Sequence, residues 1–281
     1  GLPANLFYGT GIPACIIVLD KENAQNRRGI FMIDASKGFM KDGPKNRLRS
    51  MDLHKIVDVF NKQHEVEKYS RMIPFDEIEK NEFNLNIPRY IDSQEEEDIQ
   101  DIEGHLKGDI PKADIDALNE YWKVYPTMRE DLFQQGHNEH YLALKVDKDE
   151  IKDQIFNHPE FRSFTEKMDE IFEDWKQEAT AYLKNLTSGC NPKQVIYDLS
   201  ENLLEQYSNR PLINKYDIYQ HLMDYWSETM QDDCYLIAAD GWKADGPATP
   251  ITQASLAAST SGESEALPCR TSGDPVGQPS A

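Results

Sequence analysis

The stretch that decides the reading is LPANLFYGTGIPACIIVLDKENAQNRRGIFMIDA, residues 2–35. It holds two apolar runs rich in β-branched residues, ACIIVL at 14–19 and GIFMIDA at 29–35. Each has the length of a strand and neither alternates with polar residues, the pattern of strands buried on both faces. Gly-Ile-Pro precedes the first run, and the polar residues 20–28 turn the chain between the two. A β-hairpin set in a larger, helix-covered sheet is the expected arrangement. Two strands alone are marginally stable in water. The rest of that sheet is therefore expected outside these residues, and the chain is expected to be a piece of a longer protein.

Ahead of the first run, Asn5, Phe7, Tyr8, Gly9 and Gly11 combine a polar side chain, two large rings and glycines that permit close backbone approach. Two readings are open for this loop. It is a hairpin turn whose rings cap the sheet, or it stacks on a planar ligand such as a base turned out of a duplex. Gly9-Thr10-Gly11 is no dinucleotide fingerprint, because it precedes a strand instead of following one and opening a helix.

Outward from this stretch, residues 37–49 (KGFMKDGPKNRLR) form a basic loop with Lys37, Lys41, Lys45, Arg47 and Arg49. From Met51, the residues Leu53, Ile56, Val57 and Phe60 repeat at helical spacing. Met72, Ile73, Phe75 and Ile78 lead into FNLNIPRYID at 83–92, where Pro88 restricts the segment to a loop or strand edge. The acidic run within 93–104 reads as a solvated helix face or first turn. Farther on, Phe161, Phe164, Met168, Ile171, Trp175, Ala179, Tyr182 and Leu186 make an apolar stripe about seven turns long, read first as core and second as a partner-helix seam. Asn191-Pro192 starts the next helix, with Val195, Ile196, Leu199, Leu203 and Tyr207 along it. Another helix carries Ile218, Leu222, Tyr225, Trp226 and Met230, so a small bundle is expected over about residues 148–232. Residues 246–281 are rich in Ala, Ser, Thr, Gly and Pro and hold no aromatic residue, a composition expected to stay disordered.

Composition narrows the function classes. The chain has 281 residues, 39% of them hydrophobic, and a formal net charge of −20 from 50 acidic and 30 basic residues. So acidic a chain is not expected to hold DNA unaided, because phosphate contacts need clustered Lys and Arg. No apolar run approaches the ~20 residues that span a bilayer, and no basic-then-apolar secretory signal opens the sequence. Cys15, Cys190, Cys234 and Cys269 are far apart and never in a Cys-x-x-Cys arrangement, as expected of free thiols in the cytoplasm. His137 and His140 lack a third metal ligand, so no metal is expected. No phosphate-binding loop and no Ser-His-Asp or Cys-His nucleophile stands out.

The ordered segments together carry a resemblance. LPANLFYGTGIPACIIVLDK, RGIFMIDASKGFMKDGPKNRLR, FNLNIPRYID, PKQVIYDLSENLLEQY and LINKYDIYQHLMDYWSETMQDDCYLIAADGW resemble the methyltransferase (M) subunit of type I restriction–modification systems, an adenine-N6 DNA methyltransferase. The likeness covers about residues 1–242. It implies an α/β fold: at 1–50 the C-terminal strands of a Rossmann-like S-adenosylmethionine-dependent methyltransferase sheet, at 51–147 a mixed connecting region, at 148–245 a helical region and then the tail. It further implies DNA, a specificity subunit, a restriction subunit and a second M subunit as partners.

Two family motifs are missing. The cofactor-binding glycine motif is absent, and so is the catalytic Asn-Pro-Pro-Tyr/Phe, since the sequence has no Pro-Pro. The expectation is a C-terminal fragment, inactive alone. Within the resemblance, Phe7 and Tyr8 are expected at the flipped adenine, with Asn5, Gly9 and Gly11 shaping the turn. Lys37, Lys41, Lys45, Arg47 and Arg49 either contact DNA phosphates or form a solvated loop, and Arg89 and Tyr90 either face DNA or brace the sheet. The helical half is the expected seat of the specificity subunit. Two alternatives remain open: a non-catalytic helical assembly module, and part of a single-chain restriction enzyme with a fused methyltransferase.

Overall fold

The computed structural model describes residues 1–22, 24–94 and 101–242. The expectations for the acidic residues 95–100 and for the tail 246–281 lie outside the described residues.

The expected hairpin between 14–19 and 29–35 does not form. Strand β1 (Gly29–Ile33) pairs antiparallel with a strand 37 or more residues downstream, Ser70–Pro74, in the register Gly29↔Pro74 to Ile33↔Ser70. Gly29 is required at this pairing, because a Cβ there would lie 2.1 Å from the Ile73 carbonyl oxygen. Residues 14–19 belong to no strand or helix, and Ile16, Ile17, Val18 and Leu19 are 58–91% exposed. The apolar run has strand chemistry, yet among the described residues no strand offers it a partner ladder. A strand is completed by its neighbour's N–H and C=O groups, and periodicity cannot supply that neighbour.

The basic loop contains a hairpin, β2 (Met40–Asp42) against β3 (Lys45–Arg47), closed by a two-residue turn at Gly43 and Pro44. Helix α1 (Ser50–Lys62) follows, and the chain returns through β4 (Ser70–Pro74) into the short α2 (Phe75–Lys80). Pro88 sits in a 3₁₀ turn, Ile87–Arg89, after which Tyr90 and Ile91 turn inward. A small core forms from Met32, Ile73, Ile78, Tyr90 and Ile91, with Ile73 wholly buried at its centre.

The middle of the chain holds structure that periodicity did not reveal. After α3 (Ile102–Lys107) come β5 (Ile110–Pro111), α4 (Lys112–Ala117), α5 (Asn119–Val124), α6 (Pro126–Leu132), β6 (Phe133–Gln135) and β7 (Tyr141–Leu144). The three strands pair antiparallel in the order β5-β7-β6. Elements of two to seven residues are too short to show a period, which is why the sequence gives no sign of them. Tyr125, Met128 and Leu132 form their core, joined by Phe161 and Phe164 from the long helix that follows.

The helical half matches expectation closely. After α7 (Ile151–Asn157), α8 (Pro159–Lys184) runs 26 residues with Pro at its start. Helix α9 (Pro192–Gln206) begins as Asn191-Pro192 announces, the Asn191 side chain accepting from the Lys193 N–H. Helix α10 (Lys215–Tyr225) passes through a π-helical segment, Trp226–Met230, into α11 (Gln231–Asp240). The bundle thus extends past residue 232, and Cys234 and Ile237 of α11 complete a core built on Trp175, Ala179, Val195, Leu199, Leu203, Leu222 and Trp226. The stripe on α8 is therefore largely core, although Phe161 and Phe164 serve the neighbouring cluster and Tyr182 is 37% exposed.

The two halves meet where α1 packs on α9 and α10. Met51 joins Leu204 and Tyr216 in one apolar cluster, and His54 stacks on Tyr219 at 4.4 Å. Asp58 is the polar centre of the contact. It accepts from the Tyr216 hydroxyl at 2.7 Å and the Lys215 ammonium at 3.1 Å, and pairs with Lys62 at 2.5 Å. Burial alone would raise its pKa, but these three donors outweigh it and hold Asp58 well below the ordinary carboxylate range. A depressed carboxylate contributes stability above its unfolded pKa of about 3.9 and loses it as pH falls toward the folded value. Asp58→Ala is expected to cost about 2–3 kcal/mol by stranding the Tyr216 hydroxyl and Lys215. Denaturant unfolding at neutral pH and in acid checks it, because the difference from wild type should shrink as pH drops below about 4.

Candidate nucleic-acid interface

The loop of residues 2–13 is held at three places by hydrogen bonds to backbone groups. The Leu2 N–H donates to the Ala14 carbonyl at 2.8 Å and closes the base. Gly1 lies beside the end of β1, its nitrogen 2.7 Å from the Ile33 oxygen and its carbonyl accepting from Ala35 at 3.0 Å. The third anchor is Asn46 of the β2–β3 hairpin. Its backbone N–H donates to the Asn5 carbonyl at 3.0 Å and its side-chain amide to the Ala4 carbonyl at 2.7 Å. Leu2, Pro3 and Asn46 are buried, so the stem of the loop is packed while its tip is free.

At the tip the backbone turns through left-handed conformations at Asn5 (φ 57°) and Gly9 (φ 79°), the two residue types that adopt them most readily. This turn leaves Phe7 56% and Tyr8 91% exposed. Gly11 is exposed as well. The rings cap no sheet: they stand out of the surface, with Lys45 of β3 against one face of Tyr8.

The basic residues divide. Lys37 and Lys41 are exposed, Lys41 on β2 with its ammonium 5.5 Å from the Phe39 ring centroid. Arg47 is exposed and pairs loosely with Asp42 at 3.4 Å. Arg49 is committed elsewhere: its guanidinium holds both Asp52 oxygens at 2.9 Å and locks the first turn of α1. Asp52 in turn raises the Arg49 pKa. A bidentate pair of this kind leaves little of the donor fork for phosphate. Arg89 is exposed on its 3₁₀ turn, whereas Tyr90 is buried and donates its hydroxyl to the Asn84 carbonyl at 2.5 Å. Tyr90 braces the small core. Thus Asn5, Phe7, Tyr8, Gly9, Gly11 and Lys45 are brought into one loop-on-hairpin unit, and Arg49, Arg89 and Tyr90 are not. The residue that sequence reading missed is Asn46, one polar residue in a polar loop whose anchoring role depends on a contact 42 positions away.

Among the described residues, the Gly9-Thr10-Gly11 turn does not have the form of an S-adenosylmethionine-binding glycine motif. Gly9-Thr10-Gly11 leads into the unassigned run 14–19 and not into a helix whose N-terminal N–H groups would face a cofactor. Among the described residues no group of three or more His, Cys, Asp and Glu side chains is placed to hold a metal ion. His137 is paired instead with Asp109 at 2.6 Å and Glu103 at 3.3 Å. Cys15, Cys190 and Cys234 are free thiols, and among the described residues no helix is long and apolar enough to cross a membrane.

Residues 1–99 match the family model of the N-6 DNA methylases. The chain is 31% identical over 150 residues to the methylase subunit of the type I restriction enzyme MpnII of Mycoplasma pneumoniae, an alignment covering 53% of this chain and 25% of that protein. It is 34% identical over 125 residues to the MjaVII methylase subunit of Methanocaldococcus jannaschii, covering 42% and 22%. The crystal structure of the type I restriction–modification methyltransferase subunit from Streptococcus thermophilus aligns at 38% identity over 34% of this chain and 20% of its own, with a TM-score of 0.32. The chain accordingly matches about a quarter of the length of its curated relatives. Residues 1–99 are thus similar to the N-6 DNA methylases, and the chain resembles part of the methylase subunits of type I restriction enzymes.

Proposed function

We propose that this chain supplies one wall of the target-base pocket, and an assembly surface, of an enzyme that transfers a methyl group from S-adenosylmethionine to adenine N6 in DNA. The observation that carries the proposal is the loop tip. Within the family-matched residues, two aromatic rings are held out of the surface on a stem buried and hydrogen-bonded to a hairpin. A loop built to cap its own sheet would bury those rings; a ring left open on a fixed stem is suited to stacking on a base.

The exposed run 14–19 supports the same reading. Ile16, Ile17, Val18 and Leu19 expose an apolar strand-like segment, as expected of a strand whose Rossmann-like sheet is completed by other residues of the methyltransferase. Methyl transfer also needs groups that this sequence lacks, the cofactor glycine motif and the Asn-Pro-Pro-Tyr/Phe that holds the adenine amino group. A chain with a net charge of −20 needs basic surface from its partners to stay on DNA. A specificity subunit seated on the helical half, a restriction subunit and a second M subunit are the partners the reading assigns, in the cytoplasm.

The test is methyl transfer from labelled S-adenosylmethionine to adenine-containing DNA. The 281-residue chain alone is expected to give none. Activity is expected only when it is joined to a polypeptide bearing the two missing motifs and assembled with a specificity subunit. Adenine methylation by this chain alone would overturn the proposal.

A further inference from the structure

The geometry points to Lys45 as the positioning residue for Tyr8, and to Tyr8, not Phe7, as the ring that stacks on the base. This rests on the loop being one wall of a base pocket. As a basic residue in a basic loop, Lys45 is the kind of side chain assigned to DNA phosphate, yet its ammonium is not available for one. Its Nζ is buried, makes no hydrogen bond among the described residues, and lies against the Tyr8 ring. Burial also lowers the Lys45 pKa. Asp42, directly across the hairpin in register with Lys45, is the obvious ion partner but pairs with Arg47. The cation is thus spent on the ring.

The consequence is both mechanical and electronic. A cation against one face of an aromatic ring is attracted by its quadrupole and fixes the plane of the ring. It also draws π density toward that face, so the opposite face repels an electron-rich purine less. Tyr8 is 91% exposed, so its opposite face is open to solvent. Among the described residues no Lys or Arg lies over Phe7, whose ring is also more covered at 56% exposure. The neighbouring residue secures the arrangement: Asn46 ties the loop stem to the strand that carries Lys45. One hairpin therefore fixes both the backbone of the loop and the plane of its outer ring.

The test uses the 281-residue chain with isotope-labelled aromatic rings, titrated with deoxyadenosine and followed by NMR. Tyr8 ring signals are expected to shift saturably. Lys45→Met, which keeps the length and removes the charge, is expected to weaken the apparent affinity about fivefold, while Lys45→Arg stays within about twofold. The Asn46 side-chain amide signals report whether the loop stem survives each substitution. Wild-type affinity in Lys45→Met, or an equal loss in Lys45→Arg with the Asn46 signals intact, overturns the role of Lys45 and leaves the base-pocket reading standing. A shift confined to Phe7 overturns the choice of ring. If neither ring responds to deoxyadenosine, the base-pocket reading falls and this inference falls with it.

Discussion

Trp175→Ala is expected to lower the stability of the helical half by about 4 kcal/mol, the upper range for deleting a buried ring. Trp175 is 2% exposed on α8 and packs in one cluster with Val195, Leu199 and Leu203 of α9 and Leu222 of α10. Its indole N–H points to the Leu199 carbonyl at 3.4 Å, so little of the side chain's value lies in that long hydrogen bond. Most lies in the apolar area removed from water and in the contacts that a cavity would forfeit. Helices fixed at both ends by their caps cannot collapse freely into the space, which keeps the cost high. Urea unfolding followed by far-ultraviolet circular dichroism measures it, with the midpoint falling and the slope unchanged. A loss below about 1 kcal/mol would mean that the bundle repacks around the gap, contrary to a core centred on Trp175.

Ile73→Ala is expected to cost about 3 kcal/mol and to act at a different place. Ile73 has no exposed surface and sits among Met32, Ile78, Tyr90 and Ile91, where β4 pairs with β1. This cluster is small, so one lost side chain is a large share of it. Because β1 ends beside the stem of the 2–13 loop, loosening the pair should also free Phe7 and Tyr8. Hydrogen exchange separates this from a bundle effect. Faster exchange is expected at residues 29–33 and 70–74 and at the Ala35 amide bound to Gly1, with α8 and α9 unchanged. Uniform acceleration across both halves would show instead that the chain opens as one unit.

These two sites also mark how far the sequence can be read. Trp175 was legible because a 26-residue helix repeats its period many times, and the stripe can point only to a neighbouring apolar stripe. Asn191-Pro192 was legible because capping is a local reaction between a side chain and backbone N–H groups two or three residues on. Ile73 was seen as apolar but not as strand. Its partner is Ile30, 43 positions away, and a five-residue strand bounded by Pro74 has no period of its own. The same limit hid β5, β6 and β7 and the anchor at Asn46. The candidate site was partly legible: Phe7, Tyr8 and the glycines declare an exposed aromatic turn, but nothing in residues 37–49 distinguishes Lys45, its ammonium buried against Tyr8, from the exposed Lys41.

The sequence by itself determined the helical half, the aromatic loop, the absence of the two motifs and the family resemblance, because each of these rests on contiguous residues. Only the tertiary structure decided that residues 14–19 belong to no strand, that β1 finds β4, that Lys45 lies against the Tyr8 ring and that Asn46 ties down the loop stem. The physical reason is common to all of these. A hydrogen-bond ladder, an ion's choice of partner and the burial of an ammonium depend on what folding brings near, and that is set by the whole chain and not by the residues on either side.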